Sequence, residues 1–213
     1  MRPISDIYTE YKIISNLREH MFRVAGVAMQ ICDSLEVPEQ KETIIKACLL
    51  HDMGNVIKFN LSHFPQFLEP EGLDYWKKVQ IEFMDKYGKN EHEANLKIAK
   101  ELGSEKEVLS CINAIGFPFW CQVNESGNIA ERICSYADTR VAPYGVVSVH
   151  ERLADGYNRY KDTDHPVDLK RETPSACMYE IEEELFSKLR IKPEDITDES
   201  IKIYLEKLKD YLI

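Results

Sequence analysis

From Ile13 to Leu35 the apolar residues recur at three- and four-residue spacing, through Leu17, Met21, Val24, Ala28 and Ile31. That period lays one stripe along an α-helix, and a helix with such a stripe must bury it against others. The same period returns at Trp76, Val79, Phe83 and Tyr87, and again at Ile129, Ile133, Cys134, Ala137 and Val141. Almost no segment alternates with the period of a strand, so the chain reads as all-α. Helices are expected over residues 4–35, 39–53, 105–114, 129–141, 148–160, 177–189 and 199–212. Two more are expected, around Trp76 to Tyr87 and from Asn90 to Ala99. Asn60 to Gly72 reads as a loop, Pro143 to Val147 as a turn, and Lys161 to Pro174, charged and broken by prolines, as an exposed linker.

The second helix carries a chemical problem. Its apolar run ends in His51 and Asp52, then stops at Gly54. Burying either side chain without a partner is costly. A divalent ion would offset the cost, because imidazole and carboxylate are both good ligands. A helix end offers a second account, with the histidine favouring the negative end of the dipole and the aspartate in solvent. His20 lies on or beside the first stripe, where a hydrogen-bonded core histidine competes with a ligand. Asp138 lies at the edge of the inward face of a later helix, where a lone aspartate is uncommon. His92 falls in a first helical turn, with Asn90 as N-cap and Glu93 at capping-box spacing.

The chain has 213 residues and a net charge of −10, from 37 acidic and 27 basic side chains. That balance lacks the basic surface that a stable nucleic-acid complex or an anionic membrane would need, yet leaves room for a small phosphorylated ligand. No apolar run is long enough to span a bilayer, and Met1 to Glu10 has no leader pattern. The cysteines (Cys32, Cys48, Cys111, Cys121, Cys134 and Cys177) form no Cys-x-x-Cys pair. They read as free thiols of a cytoplasmic protein. Phe117, Phe119 and Trp120 form an aromatic cluster, read as core packing rather than a platform for a base.

The order of His20, then His51-Asp52, then a distant Asp138, in the stretches Arg18 to Ala25, Leu49 to Gly54 and Tyr136 to Val141, resembles the HD-domain family of metal-dependent phosphohydrolases. The resemblance runs over about residues 16 to 145. It implies an HD-domain-like helical bundle in which His20, His51, Asp52 and Asp138 hold one divalent metal ion (Mn, Fe, Co, Ni, Zn or Mg). It also implies hydrolysis of a phosphomonoester or phosphodiester, of a nucleotide or a similar small molecule, by metal-activated water. Asp52, His92 and Lys58 are the catalytic candidates, and Arg18, Lys58 and His92 the candidates for phosphate contacts. Two departures are evident. Many members carry lysine where this chain has Asn55, and two-metal members carry further histidines where Cys111 to Gln122 has none. One ion is therefore expected, with a non-catalytic nucleotide sensor built on a structural metal as the alternative function. Residues 1–145 are expected to form the core carrying the site. Residues 146–213 are expected as a helical extension packed on it, in a packing, lid or homodimer role. His63, His150 and His165 receive no role.

Overall fold

A computed structural model describes residues 1–35, 38–62, 65–160 and 172–213. Eleven helices are found among the described residues: α1 (Ile4–Glu10), α2 (Ser15–Leu35), α3 (Pro38–Leu50), α4 (Leu73–Tyr87), α5 (Glu91–Glu101), α6 (Lys106–Ala114), α7 (Trp120–Ser126), α8 (Ile129–Thr139), α9 (Val149–Tyr160), α10 (Glu172–Phe186) and α11 (Asp198–Leu208). The fold is all-α, as the spacing predicts. One small antiparallel hairpin, β1 (Val141–Ala142) with β2 (Gly145–Val146), replaces the expected turn after α8.

The nucleus is α2, α3, α6 and α8, which pack on one another. The apolar stripe of α2 lies inside it, with Leu17, Met21, Val24, Ala28, Ile31 and Cys32 buried. From α8, Ile133, Cys134 and Ala137 meet it, also buried. Helix α11 covers the outer side of α2, and α10 lies against α7 and α8.

Several boundaries differ from the sequence expectation. The first helix breaks at Tyr11 and Lys12, where Lys12 takes a left-handed conformation (φ 49°). Arg18 supports the break, donating from Nε to the Ile13 carbonyl (2.6 Å) and from Nη2 to the Tyr8 carbonyl (3.1 Å). Apolar periodicity alone cannot reveal such a corner, because both halves bury the same stripe. Helix α7 was not expected. It begins at Trp120, which turns into the core while Phe117 and Phe119 do not. Helix α10 starts at Glu172, earlier than Cys177. His63, His165 and residues 161–171 of the expected linker lie outside the described residues.

The thiol expectation needs a correction. Cys121 on α7 and Cys177 on α10 form a disulfide, while Cys32, Cys48, Cys111 and Cys134 are free and buried. The pair is 56 residues apart in sequence, and only the packing of α7 on α10 brings it together. Two polar clasps complete the assembly. The buried Arg140 donates to the Val147 carbonyl, to Tyr136 Oη (2.6 Å) and to the Pro193 and Ile196 carbonyls (both 3.1 Å), tying α8 to the hairpin and to the segment before α11. The two ends of the chain pair with each other: the Arg2 and Ile213 amides each donate to the other's carbonyl at 2.9 Å. No described helix is long and apolar enough to cross a membrane.

Candidate metal centre

Helix α3 ends at Leu50, so His51 and Asp52 stand in the turn just beyond it rather than on the helix. Three neighbours hold that turn. Tyr8 Oη donates to the Leu49 carbonyl at 2.6 Å, satisfying one of the carbonyls a helix end leaves open. The Gly54 amide donates to Asn95 Oδ1 on α5 at 2.5 Å, and Asn95 Nδ2 donates to Asn55 Oδ1 at 3.3 Å. Gly54 has an ordinary φ of −97°, so its glycine serves space rather than conformation. A Cβ there would come within 2.7 Å of the Ala94 Cβ. Helix α5 thus lies directly on the turn.

The turn brings His51 and Asp52 to His20 of α2 and Asp138 of α8. His20 Nε2 and Asp138 Oδ1 share a hydrogen bond at 3.0 Å, and Asp52 Oδ2 stands 3.6 Å from both His20 Nε2 and His51 Nε2. His51 Nε2 is 3.4 Å from Asp138 Oδ1. Ligand atoms of His20, His51 and Asp52 all lie within 4.8 Å of one another. His51 is the deepest of the four, its side chain 1% exposed against 16–21% for the others.

The ring of His51 shows what the cluster is suited to hold. Its Nδ1 lies 2.8 Å from the Cys48 carbonyl, which can only accept, so Nδ1 carries the proton and Nε2 presents its lone pair. That Nε2 is buried and has no hydrogen-bond partner among the described residues. A hydrogen bond of this kind on the far ring nitrogen fixes the tautomer and the aim of a metal-bound histidine. Without an ion, the two carboxylates call a proton onto that same Nε2, and an ion would have to displace it. Burial opposes the His51 cation, but Asp52 and Asp138 outweigh it and raise its pKa to about 10. Burial likewise opposes the Asp138 carboxylate, and the His20 and His51 rings outweigh that, holding its carboxyl well below the usual range. Two carboxylates and an aimed imidazole call for positive charge, and a divalent ion supplies it. His20, His51 and Asp52 fit such an ion, with Asp138 bonded to His20 beside them.

The cluster opens into a cavity of about 660 Å³. Lys58 lines it, with Nζ 3.7 Å from Glu91 Oε1. His92 lines it too, with Nε2 3.1 Å from Asn113 Oδ1 and its ring 4.9 Å from that of Phe119. Phe117 and Phe119 form part of the wall, so the aromatic cluster divides between the cavity and the core instead of packing wholly inside. Arg18 is placed elsewhere: its guanidinium is spent on the α1–α2 corner, and it is absent from the described cavity wall. Arg152, on α9, lines the cavity and was not among the sequence candidates. Its signal was faint. The Ser148–Glu151 capping box announces a helix, yet nothing in the sequence says that its first turns return to this cavity.

A family model for the HD domain matches residues 17–112. Over those residues the chain is similar to HD domains. The match takes in His20, His51, Asp52 and His92 and stops short of Asp138, which joins the cluster by geometry. HD domains are generally hydrolases and typically bind divalent metal ions. No curated protein and no solved structure matches the chain.

Proposed function

We propose that this protein is a metal-dependent phosphohydrolase that cleaves a phosphate ester of a nucleotide or similar small molecule in the cytoplasm. The observation that carries the reading is the unpartnered Nε2 of His51, aimed by the Cys48 carbonyl at the space between two carboxylates. His20, His51, Asp52 and Asp138 would hold one divalent ion. Once bound, such an ion makes water nucleophilic near neutral pH and polarises a phosphoryl oxygen. Asp52 accepts the proton of the attacking water. Lys58 offers its ammonium to a phosphoryl oxygen. His92, whose Nε2–H donates to Asn113, keeps Nδ1 for proton exchange with the leaving group. Phe117 and Phe119 give a base or other flat group a surface to lie on.

Phosphate release from a panel of nucleotides and phosphate esters, with Mn²⁺, Co²⁺, Ni²⁺ or Mg²⁺ added, tests the reading. Wild type is expected to turn over, and Asp52→Asn to lose turnover while its helical circular dichroism stays unchanged. Full activity in Asp52→Asn would refute the assignment. One observation favours the alternative of a non-catalytic nucleotide sensor: Asn55, where many members carry lysine, is buried and bonded to Asn95. Ligand-induced stabilisation without product under every metal would establish that alternative. The reading assigns no nucleic-acid or membrane partner, on the net charge of −10. It includes a homodimer through the C-terminal helices, which sedimentation tests. A cytoplasmic protein would carry the Cys121–Cys177 bond only under oxidation, and alkylation at the moment of lysis checks this.

A further inference from the structure

Arg140 and Arg18 are both spent on backbone carbonyls. Arg140 fills its guanidinium fork, donating to three carbonyls and a hydroxyl. Arg18 likewise spends Nε and Nη2 on carbonyls. The Nε of Arg152 is buried without a hydrogen-bond partner among the described residues, and the residue's ion pair with Asp155, three residues along α9, spans 3.6 Å. Yet the side chain is about a quarter exposed (27%) and lines the cavity of the metal centre. A buried donor left unmet is costly, and a charged one more so. In the same wall Asn16 Oδ1 is also buried and unpartnered among the described residues. The exposed part of the Arg152 side chain, not its enclosed Nε, is what a ligand entering the cavity would meet. The other fixed cation there, Lys58, is half exposed and has Glu91 for company.

We infer that Arg152 binds the phosphoryl group of the substrate, and that the substrate is a phosphomonoester. The inference rests on the phosphohydrolase reading above and narrows it. A guanidinium recognises phosphate through two parallel N–H···O bonds. A phosphoryl group that gives two oxygens to this fork and a third to a metal ion needs three non-ester oxygens. A monoester has three; a diester has two. Charge points the same way, since a divalent ion with Asp52 and Asp138 is neutral overall. A monoester dianion then needs a further cation, and Arg152 provides one.

The test is binding of inorganic phosphate and of dimethyl phosphate to the Mn²⁺-loaded protein, by calorimetry, in wild type, Arg152→Gln and Arg152→Lys. Mn²⁺ affinity is measured for each by electron paramagnetic resonance. Wild type should bind phosphate, and Arg152→Gln should bind it at least tenfold more weakly with Mn²⁺ affinity unchanged. Arg152→Lys should recover only part of the loss, because an ammonium lacks the fork. Dimethyl phosphate should bind wild type no better than Arg152→Gln. Equal phosphate affinity in wild type and Arg152→Gln would overturn the assignment of Arg152 while leaving the hydrolase reading standing. Joint loss of Mn²⁺ and phosphate binding in Arg152→Gln would make the residue structural and also overturn it. A wild type that binds Mn²⁺ but neither binds phosphate nor releases it from any ester would sink both readings.

Discussion

Gly54 offers a measurable handle on how tightly α5 holds the metal-binding turn. A Cβ at residue 54 would sit 2.7 Å from the Ala94 Cβ and 3.0 Å from Asn95 Oδ1, so Gly54→Ala must push the turn and the helix apart. Overpacking of this kind costs about 1–3 kcal/mol, and we take about 2. For a chain of this size that lowers the melting temperature by about 4–8 °C. Removing the Ala94 methyl takes away the closest contact and should relieve most of it, leaving the approaches to Asn95 Oδ1 (3.0 Å) and the Asn95 amide (3.1 Å), which a small shift absorbs. Ala94→Gly alone costs about 1 kcal/mol for glycine within a helix and about 0.8 for the lost buried methyl. If the two sites were independent, the double variant would lose about 4 kcal/mol; with the clash removed, it should lose only about 2. The coupling of about 2 kcal/mol is far above the scatter expected of independent sites. Urea denaturation of the four proteins measures it, and Mn²⁺ titration should show Gly54→Ala with weakened affinity and the double variant recovering. Additive losses, or a Gly54→Ala protein within 0.5 kcal/mol of wild type, would refute the packing argument.

Adding Mn²⁺ at 100 times its dissociation constant should stabilise the folded protein by about 2.7 kcal/mol. Asp138→Ala should lose most of that gain in a thermal melt, although Asp138 lies beyond the matched HD region. Tyr8→Phe leaves the Leu49 carbonyl without its buried donor and should cost about 1–3 kcal/mol in urea, with secondary structure intact. Burial pushes the Cys32 thiol up to about 12, and alkylation requires the thiolate. Native protein at pH 8 should therefore leave Cys32 unmodified in a mass spectrum. In non-reducing denaturant Cys32, Cys48, Cys111 and Cys134 should all react, with Cys121 and Cys177 joining only after reduction.

Residues whose meaning is local were legible in the sequence. The stripe of α2 follows from its spacing, and Asn90 accepts from the Glu93 amide as its N-cap pattern predicts. His20, His51, Asp52 and Asp138 could be singled out one by one, since each is a ligand type on or beside an apolar face. Their meeting point depends on helices separated by up to 118 residues, which periodicity does not encode. Arg18 and Arg152 show the difference. Arg18 stands two residues before His20 and looks near the site, but a helix turns it by about 200° over that step, away from the ligand. Arg152 is 132 residues from His20, as its number shows, and comes back through the hairpin after α8. Asn95 was equally hidden, because its partner Gly54 is 41 residues earlier.

The pairing of Arg2 with Ile213 has a consequence for how such centres are recognised at all. With the backbone ends joined by hydrogen bonds, a short linker could close the chain into a ring. New ends could then be cut at Gly103, where the glycine faces open space between α5 and α6. In that permuted protein Asp138 would precede His20 along the chain, yet every ligand would occupy the same point in space. Its order of letters would no longer spell the family's signature, while its chemistry would be untouched. Linear motif order is thus a record of ancestry, and the cluster itself is indifferent to it.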